Sequence, residues 1–509
     1  MSNLTSAAQS GQTQKVVVME TIGAESRTTM AFTRGNVLEP YPAECIAGAA
    51  EAAGFEAVVL QRGSLSDEEV LDFIVKHQPV CVGMTVFTYS LSIAQRLATM
   101  IKAKLPQTLV VVGGYHPSLV PSCVSYTDFD FAVIGEGEIT FTELLQKALN
   151  NEPMDSVRGI AYMKDGEVIV NAPRERVKDL DTLPKPKRMR EYLERARMFN
   201  LSYPDPDHQI AAEIGCSRGC VGRCTFCVSN VMRDDRHGIQ APCEMSVSLR
   251  SPQSVAQEIR QLHEEFGVNL LYLTDLTFNY NKERVKAICQ ALINEGLHDA
   301  DTEMDPDHVR KSVHWYALVK VGLDQETAQL MAKAGCAKIG TGIESFFEAK
   351  AKQYAKPHRE IGIVRRSLEA ADNAGIINRC LLVFGSPNET WDTVRETIEG
   401  LKRFPIDQVR IAFLTPFPGT QIVGEVEDSI ADRNFDHYDT DHPVMTSNLS
   451  PEELVEARKM IGREFYGSRE YADRCRNKIA RFPWLKESYR WWFEDLYQRG
   501  IADLRWIAE

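Results

Sequence analysis

The densest chemistry in the sequence lies in the stretch GCSRGCVGRCTFC, residues 215–227. Four of the chain's 12 cysteines fall here: Cys216, Cys220, Cys224 and Cys227. Thiolates packed so closely hold a soft metal centre or do redox work. Three readings are open. A structural zinc site usually uses two cysteine pairs separated by a loop that lets the chain wrap the ion, and C-x3-C-x3-C-x2-C has no such loop. A redox dithiol, Cys224-Thr-Phe-Cys227, accounts for only two of the four thiols. The third reading is an iron–sulfur cluster on thiolates. Only Cys220, Cys224 and Cys227 give the spacing C-x3-C-x2-C. Cys216 then reads as a free buried thiol at the end of a strand.

These residues sit in a chain of 509 residues, long enough for two or three domains. Hydrophobic content is 44% and charged content 25%, as in ordinary soluble proteins. The net charge of −13 argues against a nucleic-acid partner, which needs a basic face. No apolar run is long enough for a transmembrane helix. Residues 1–13 are small and polar, read as a disordered start without a signal sequence. The expected compartment is the cytoplasm, where clustered cysteines indicate a metal or catalytic site rather than disulfides.

The elements that must carry the cysteines are strands alternating with helices. In residues 14–150, strands are predicted at 15–19, 57–60, 80–85, 108–112 and 131–134. Helices are predicted at 43–53, 67–76, 93–105 and 139–149. This alternation implies a doubly wound parallel sheet with ligands beyond the carboxyl ends of its strands. Residues 151–208 read as a connector, with a hairpin at Lys164-Asp165-Gly166 and then a proline- and charge-rich run. In residues 209–424, six strands (209–214, 268–274, 313–319, 336–341, 379–384, 408–414) alternate with helices. Six strand–helix units make most of a barrel, and barrel chemistry lies at the C-terminal strand ends. The cysteine group follows the first of these strands. Residues 425–509 read as a helical extension holding Trp484, Trp491, Trp492 and Trp506. They form either a cap packed on the barrel or a wall for a bulky substrate.

The spacing of Cys220, Cys224 and Cys227 resembles that of the radical S-adenosylmethionine (SAM) superfamily. The resemblance covers about 209–420 and implies an α/β fold with a partial (β/α)6 barrel. It implies a [4Fe–4S] cluster on these three cysteines, with one iron left open for SAM. A fourth ligand would close that site, so Cys216 stays outside the set. Phe226 matches the aromatic that lies by the adenine. Further SAM contacts are expected from Asp275 in TDLTFN, Glu344 and Ser345 in GTGIES, and Gly385 in FGSPNET. Asp275 stands where other members carry GGE, and Asn388 where a glycine is commoner.

The front unit resembles the Rossmann-like cobalamin domain that precedes the barrel in one branch of that superfamily. The matching pieces are VGMTVFT, VVGGYHPS and VIGEGEITFTELL. Expected cobalamin contacts are Thr85, Val86, Gly113, Gly114, Tyr115, His116, Gly135, Glu136 and Gly137. Glycines there let backbone approach a flat macrocycle. The cobalt-binding pattern D-x-H-x-x-G is missing, since Asp235-Arg236-His237 has Gln240 where the glycine belongs. His116 is the tempting ligand, but a turn histidine more often bonds locally.

The resemblance implies a B12-dependent radical SAM enzyme, most often a C-methyltransferase acting on a small molecule or natural product. One SAM gives its methyl group to cobalamin, and a second yields a 5′-deoxyadenosyl radical that takes hydrogen from an unactivated carbon. Oxidative cyclisation or rearrangement, for example of a tetrapyrrole, is the alternative within the branch. A non-catalytic cobalamin sensor is the alternative outside it. A flavodoxin or ferredoxin is the expected electron donor.

Overall fold

The computed structural model describes residues 13–23, 39–196, 209–229, 247–298, 312–355 and 360–508. The front unit is built on a seven-stranded sheet of order β2-β1-β3-β4-β5-β6-β7. Its parallel strands are β1 (Lys15–Gly23), β2 (Glu56–Gly63), β3 (Cys81–Thr85), β4 (Leu109–Gly113) and β5 (Phe131–Val133). Alternate side chains of β1 explain the two-sided wrap. Val17 and Met19 enter a core with helices Asp67–His77 and Leu91–Lys104. Val16 and Val18 enter another core with helices Tyr41–Ala52 and Gly137–Leu149. Strand order turns back between β1 and β3, the switch point where doubly wound sheets open a crevice.

The predicted hairpin is β6 (Ile160–Lys164) and β7 (Glu167–Val170), and it pairs antiparallel onto β5. The front sheet therefore runs past residue 150, and the hairpin belongs to it rather than to a free connector. Residues 171–189 then form a strap. Lys187 donates its N–H to Glu44 O at 2.9 Å. At Gly48 a Cβ would lie 2.1 Å from Lys185 O, so only glycine lets the strap cross this helix.

The second unit is a six-stranded parallel sheet, β8 (Ala211–Ile214), β11 (Leu270–Leu273), β12 (His314–Val319), β13 (Cys336–Glu344), β14 (Ile377–Phe384) and β15 (Gln408–Phe413). β8 and β15 stand at its two edges, giving the expected partial barrel. A short antiparallel pair, β9 (Ser217–Arg218) and β10 (Ser248–Leu249), frames the cysteine loop. Helices follow with clear local causes. Ser251 caps helix Pro252–Phe266, which ends on Gly267 in the left-handed region.

The C-terminal helices Pro451–Tyr466, Arg469–Arg481 and Lys486–Gln498 pack on the β14–β15 side. Along edge strand β15, Val409 N–H donates to Tyr466 Oη and Phe413 N–H to Thr440 O, both at 2.8 Å. Covering these donors blunts an edge that would otherwise pair with another chain. Lys478, 1% exposed, bonds Asp407 Oδ2 at 2.7 Å and Ile376 O at 2.8 Å. These partners stand at the N-terminal ends of β14 and β15. This anchor holds helix Arg469–Arg481 at the barrel end away from the cysteines, whereas Tyr438, Val444 and Met445 pack near Phe226 at the other end.

Candidate functional site

The cysteine loop leaves β8 at Ile214 and is held from below by Asp275, at the end of β11. Asp275 is 1% exposed. Its Oδ2 accepts the Cys216 N–H at 2.9 Å, and its Oδ1 accepts the Ser217 hydroxyl. Burial raises the Asp275 carboxyl, with these donors opposing. Both oxygens accept from the loop, so Asp275 anchors the strand end from which the cysteines depart. Arg284 and Arg250 complete the base. The Arg284 guanidinium donates to Cys216 O at 2.6 Å, and Arg250 N–H donates to the same oxygen at 3.1 Å.

Cys220, Cys224 and Cys227 are half-buried, whereas Cys216 is fully buried. Burial pushes the Cys216 thiol up, and Asp275 beside it acts the same way. It is an inert core thiol, as expected. Gly222 shows how the other sulfurs sit. A Cβ there would lie 3.4 Å from Cys220 Sγ and 3.7 Å from Cys224 Sγ. Both sulfurs therefore border one small space, and Gly222 N–H donates to Cys220 Sγ at 3.3 Å. Thr277 Oγ1 lies 3.1 Å from Cys220 Sγ, and Ser229 Oγ 3.0 Å from Cys227 Sγ. A donor to sulfur such as the Gly222 N–H stabilises thiolate and tunes a bound cluster. Among the described residues no three cysteine, histidine or acidic groups converge as on a single ion. The donor set and the Gly222 cradle fit a [4Fe–4S] cluster.

The expected SAM residues lie on neighbouring loops with bonds of their own. Phe226 packs edge-on to Tyr354 at 5.3 Å. Thr225 N–H donates to Tyr354 O at 3.3 Å, and Thr225 O accepts from Ile422 N–H at 3.0 Å. Glu344 ends β13 with φ 61°, a left-handed backbone unusual for glutamate. Such strain gathers at binding sites. Ser345 Oγ accepts the Phe347 N–H at 3.0 Å. Gly385 N–H is committed to Glu389 Oε2 at 2.9 Å. Glu389 was not singled out in the sequence. It is 1% exposed and also bonds Lys350 Nζ and the Thr393 hydroxyl, each at 2.7 Å. It ties the loop after β13 to the loop after β14.

A cavity of about 650 Å³ opens between the front sheet and the cysteine loop. Its floor is apolar, with Val18, Gly83, Val111 and Phe141. Thr85, Gly113, Gly114, Tyr115, Gly135, Glu136 and Gly137, the candidate cobalamin contacts, line it. Gly114 has φ 97°, and a Cβ there would lie 3.1 Å from Val86 O, so the bare backbone makes the turn. Such a chamber has room for the apolar end of a bulky cofactor, with polar groups at the rim. Cobalamin fits it.

Val86 and His116 do not line this cavity, a correction to the sequence reading. Both are fully buried. Val86 O accepts the His116 N–H at 3.1 Å. His116 Nδ1 lies 3.2 Å from Thr88 Oγ1, and its ring meets Phe435 edge-on at 5.5 Å. Burial lowers its pKa to about 4. His116 is thus a neutral core residue bonded within its own turn. Asp235, Arg236 and His237 lie outside the described residues.

The strap supplies the wall that the sequence reading missed. Asn171, Arg174, Arg176, Val177, Leu180 and Pro184 all face the cavity. Their proline- and charge-rich composition reads as a linker, and no local signal marks a wall. From the barrel side come Gly215, Ser217, Arg218, Gly219, Ser229 and Thr274.

Comparison with known proteins agrees with this layout. The B12 binding domain family matches residues 27–145, and the Radical SAM superfamily matches residues 214–401. An uncharacterized methyltransferase of Pyrococcus horikoshii is 26% identical over 82% of this chain and 82% of its own. Anaerobic magnesium-protoporphyrin IX monomethyl ester cyclase of Cereibacter sphaeroides is 24% identical over 84% of this chain and 65% of its own. In fold, the chain is similar to the radical SAM methyltransferase TsrM from Kitasatospora setae, solved with cobalamin and a [4Fe–4S] cluster. The TM-score is 0.67 at 15% identity, over 96% of this chain and 100% of that one. A B12 domain followed by a radical SAM barrel defines a class of cofactor-dependent enzymes. The chain carries a B12 binding domain followed by a radical SAM superfamily domain. Its cofactors are a [4Fe–4S] cluster, SAM and cobalamin. Among the described residues no helix is long and apolar enough to cross a membrane.

Proposed function

We propose that this protein transfers a methyl group to an unactivated carbon of a small-molecule substrate. The carrying observation is the cavity wall, contributed jointly by Gly113 and Gly114 at the end of β4 and by Ser217 and Gly219 of the cysteine loop. When bound, the cluster supplies the electron that splits SAM, and cobalamin carries the methyl group.

The chain's own part is positional. Asp275 and Arg284 hold the cysteine loop against the strand ends. The strap and Ser217 and Arg218 of β9 wall the seam between the two units, and shielding of that kind limits side reactions of radicals. Gly113 and Gly114 keep backbone, not side chains, at the chamber mouth. Setting the chamber against the cysteine loop brings the two cofactor sites near each other, as a group transfer needs. The methyltransferase relative supports this reading, and the cyclase relative supports oxidative ring closure as a second one. A flavodoxin- or ferredoxin-type electron donor and a cytoplasmic location rest on the resemblance alone.

The test uses anaerobically reconstituted protein and SAM carrying a deuterated methyl group, with candidate substrates. Matched formation of S-adenosylhomocysteine and 5′-deoxyadenosine, with label in the product, supports methyl transfer. 5′-Deoxyadenosine without S-adenosylhomocysteine moves the reading to cyclisation or rearrangement. Neither product, with cluster and cobalamin both loaded, overturns the catalytic reading.

A further inference from the structure

One ion pair joins the two cofactor units directly. Arg218 lies on β9, two residues before Cys220, with Gly219 at φ 99° between them. Its guanidinium pairs with Glu138 in the first turn of helix Gly137–Leu149, and lies 3.7 Å from Glu136. Glu138 is only 6% exposed. The Arg218 carbonyl accepts from Arg176 Nη2 of the strap at 2.9 Å. Glu136 closes the circuit by accepting the Val177 N–H at 2.8 Å.

Glu136, Glu138, Arg176, Val177 and Arg218 all line the cavity. Cys220, Cys224 and Cys227 do not. A ligand in the cavity therefore presses on this ring of contacts, and it also meets Ser229, whose hydroxyl lies 3.0 Å from Cys227 Sγ. The Arg218 pair is directional and shielded from solvent on the Glu138 side, so it resists displacement more than an exposed pair would. The chain from Glu138 through Arg218 and Gly219 to the Cys220 sulfur is short and passes through no loose segment.

We propose that Arg218 is a positioning residue that couples occupancy of the cavity to the geometry of the cysteine loop. The proposal rests on the cofactor reading above. Coupling between two sites is reciprocal. A loaded cluster must change the affinity of the cavity for cobalamin by the same factor that cobalamin changes affinity at the cysteines. A merely structural rivet behaves differently. Its loss would weaken the apo and cluster-loaded forms alike and leave their ratio alone.

The test titrates hydroxocobalamin, followed by absorbance under anaerobic conditions, into the full chain with and without a reconstituted cluster. For the unaltered protein the two dissociation constants should differ about five-fold or more, the ordinary scale of site coupling. In R218M and in E138Q the ratio should fall to about one. The charge-swapped double variant R218E/E138R should restore it, which loss of folding cannot mimic. A ratio near one in the unaltered chain, or a ratio unchanged in both single variants, overturns the coupling alone. Failure of the unaltered chain to bind hydroxocobalamin or to assemble a cluster overturns the cofactor reading and the coupling with it.

Discussion

The Asp275 carboxylate, at the end of β11, accepts the Cys216 N–H at 2.9 Å, at the end of β8. The same group takes the Ser217 hydroxyl. One buried acid thus fixes where the cysteine loop leaves the barrel. Asp275→Ala leaves two buried donors unsatisfied, at a cost of about 1–3 kcal/mol each. The expected outcome is a lower urea midpoint and faster loss of cluster absorbance on addition of a chelator. Asp275→Asn, which keeps one acceptor, should fall between.

The cysteines divide three and one. Cys220→Ala, Cys224→Ala and Cys227→Ala should each reduce iron from about four per chain to below one after reconstitution. Cys216→Ser should keep the full iron content, because that thiol is buried in the barrel core. Iron and sulfide analysis checks both. Loss of iron in Cys216→Ser would show that the loop uses a fourth sulfur.

Gly83 sits in the cavity floor, where a Cβ would lie 3.2 Å from the Phe141 ring. Valine suits a strand but fills the chamber. Gly83→Val should weaken hydroxocobalamin binding by about tenfold, equivalent to 1.4 kcal/mol, while iron content stays unchanged. Equal binding would place the cofactor elsewhere.

His116 gives a pH dependence with a definite sign. Burial lowers its pKa from the ordinary 6.5 to about 4. Between these values the unfolded chain binds a proton that the folded chain does not. Its contribution to stability is therefore present above pH 6.5 and lost as pH falls toward 4, by about 3 kcal/mol in total. Urea unfolding of the unaltered protein should weaken over that window more than unfolding of His116→Gln. Parallel pH profiles would contradict the buried neutral state.

Lys478 anchors the C-terminal helices to Asp407 at 2.7 Å, both side chains 1% exposed. Lys478→Met leaves Asp407 without its charge partner and should cost about 3–5 kcal/mol. Lys478→Met combined with Asp407→Asn should recover part of the loss. Protein that remains folded should still load iron, since this anchor lies at the barrel end opposite the cysteines.

The sequence by itself determined the local structure and the donor set. Alternating apolar runs ended by glycine mark the strands and helices because burial period and backbone freedom are properties of short segments. Those strands fall close to where they were expected, as in β12 at His314–Val319. The spacing of Cys220, Cys224 and Cys227 is local as well. Tertiary structure alone decided what depends on distant partners. Asp275, expected to meet SAM, turns to Cys216 59 residues away. His116 turns from the cavity because Thr88 and Phe435 offer it a buried slot. The strap reads as a linker, since its few apolar groups become a wall only when laid against the front sheet. The Arg218–Glu138 pair spans 80 residues and two units. Charge and residue type are written in the chain, but which opposite charge lies within reach is set by packing.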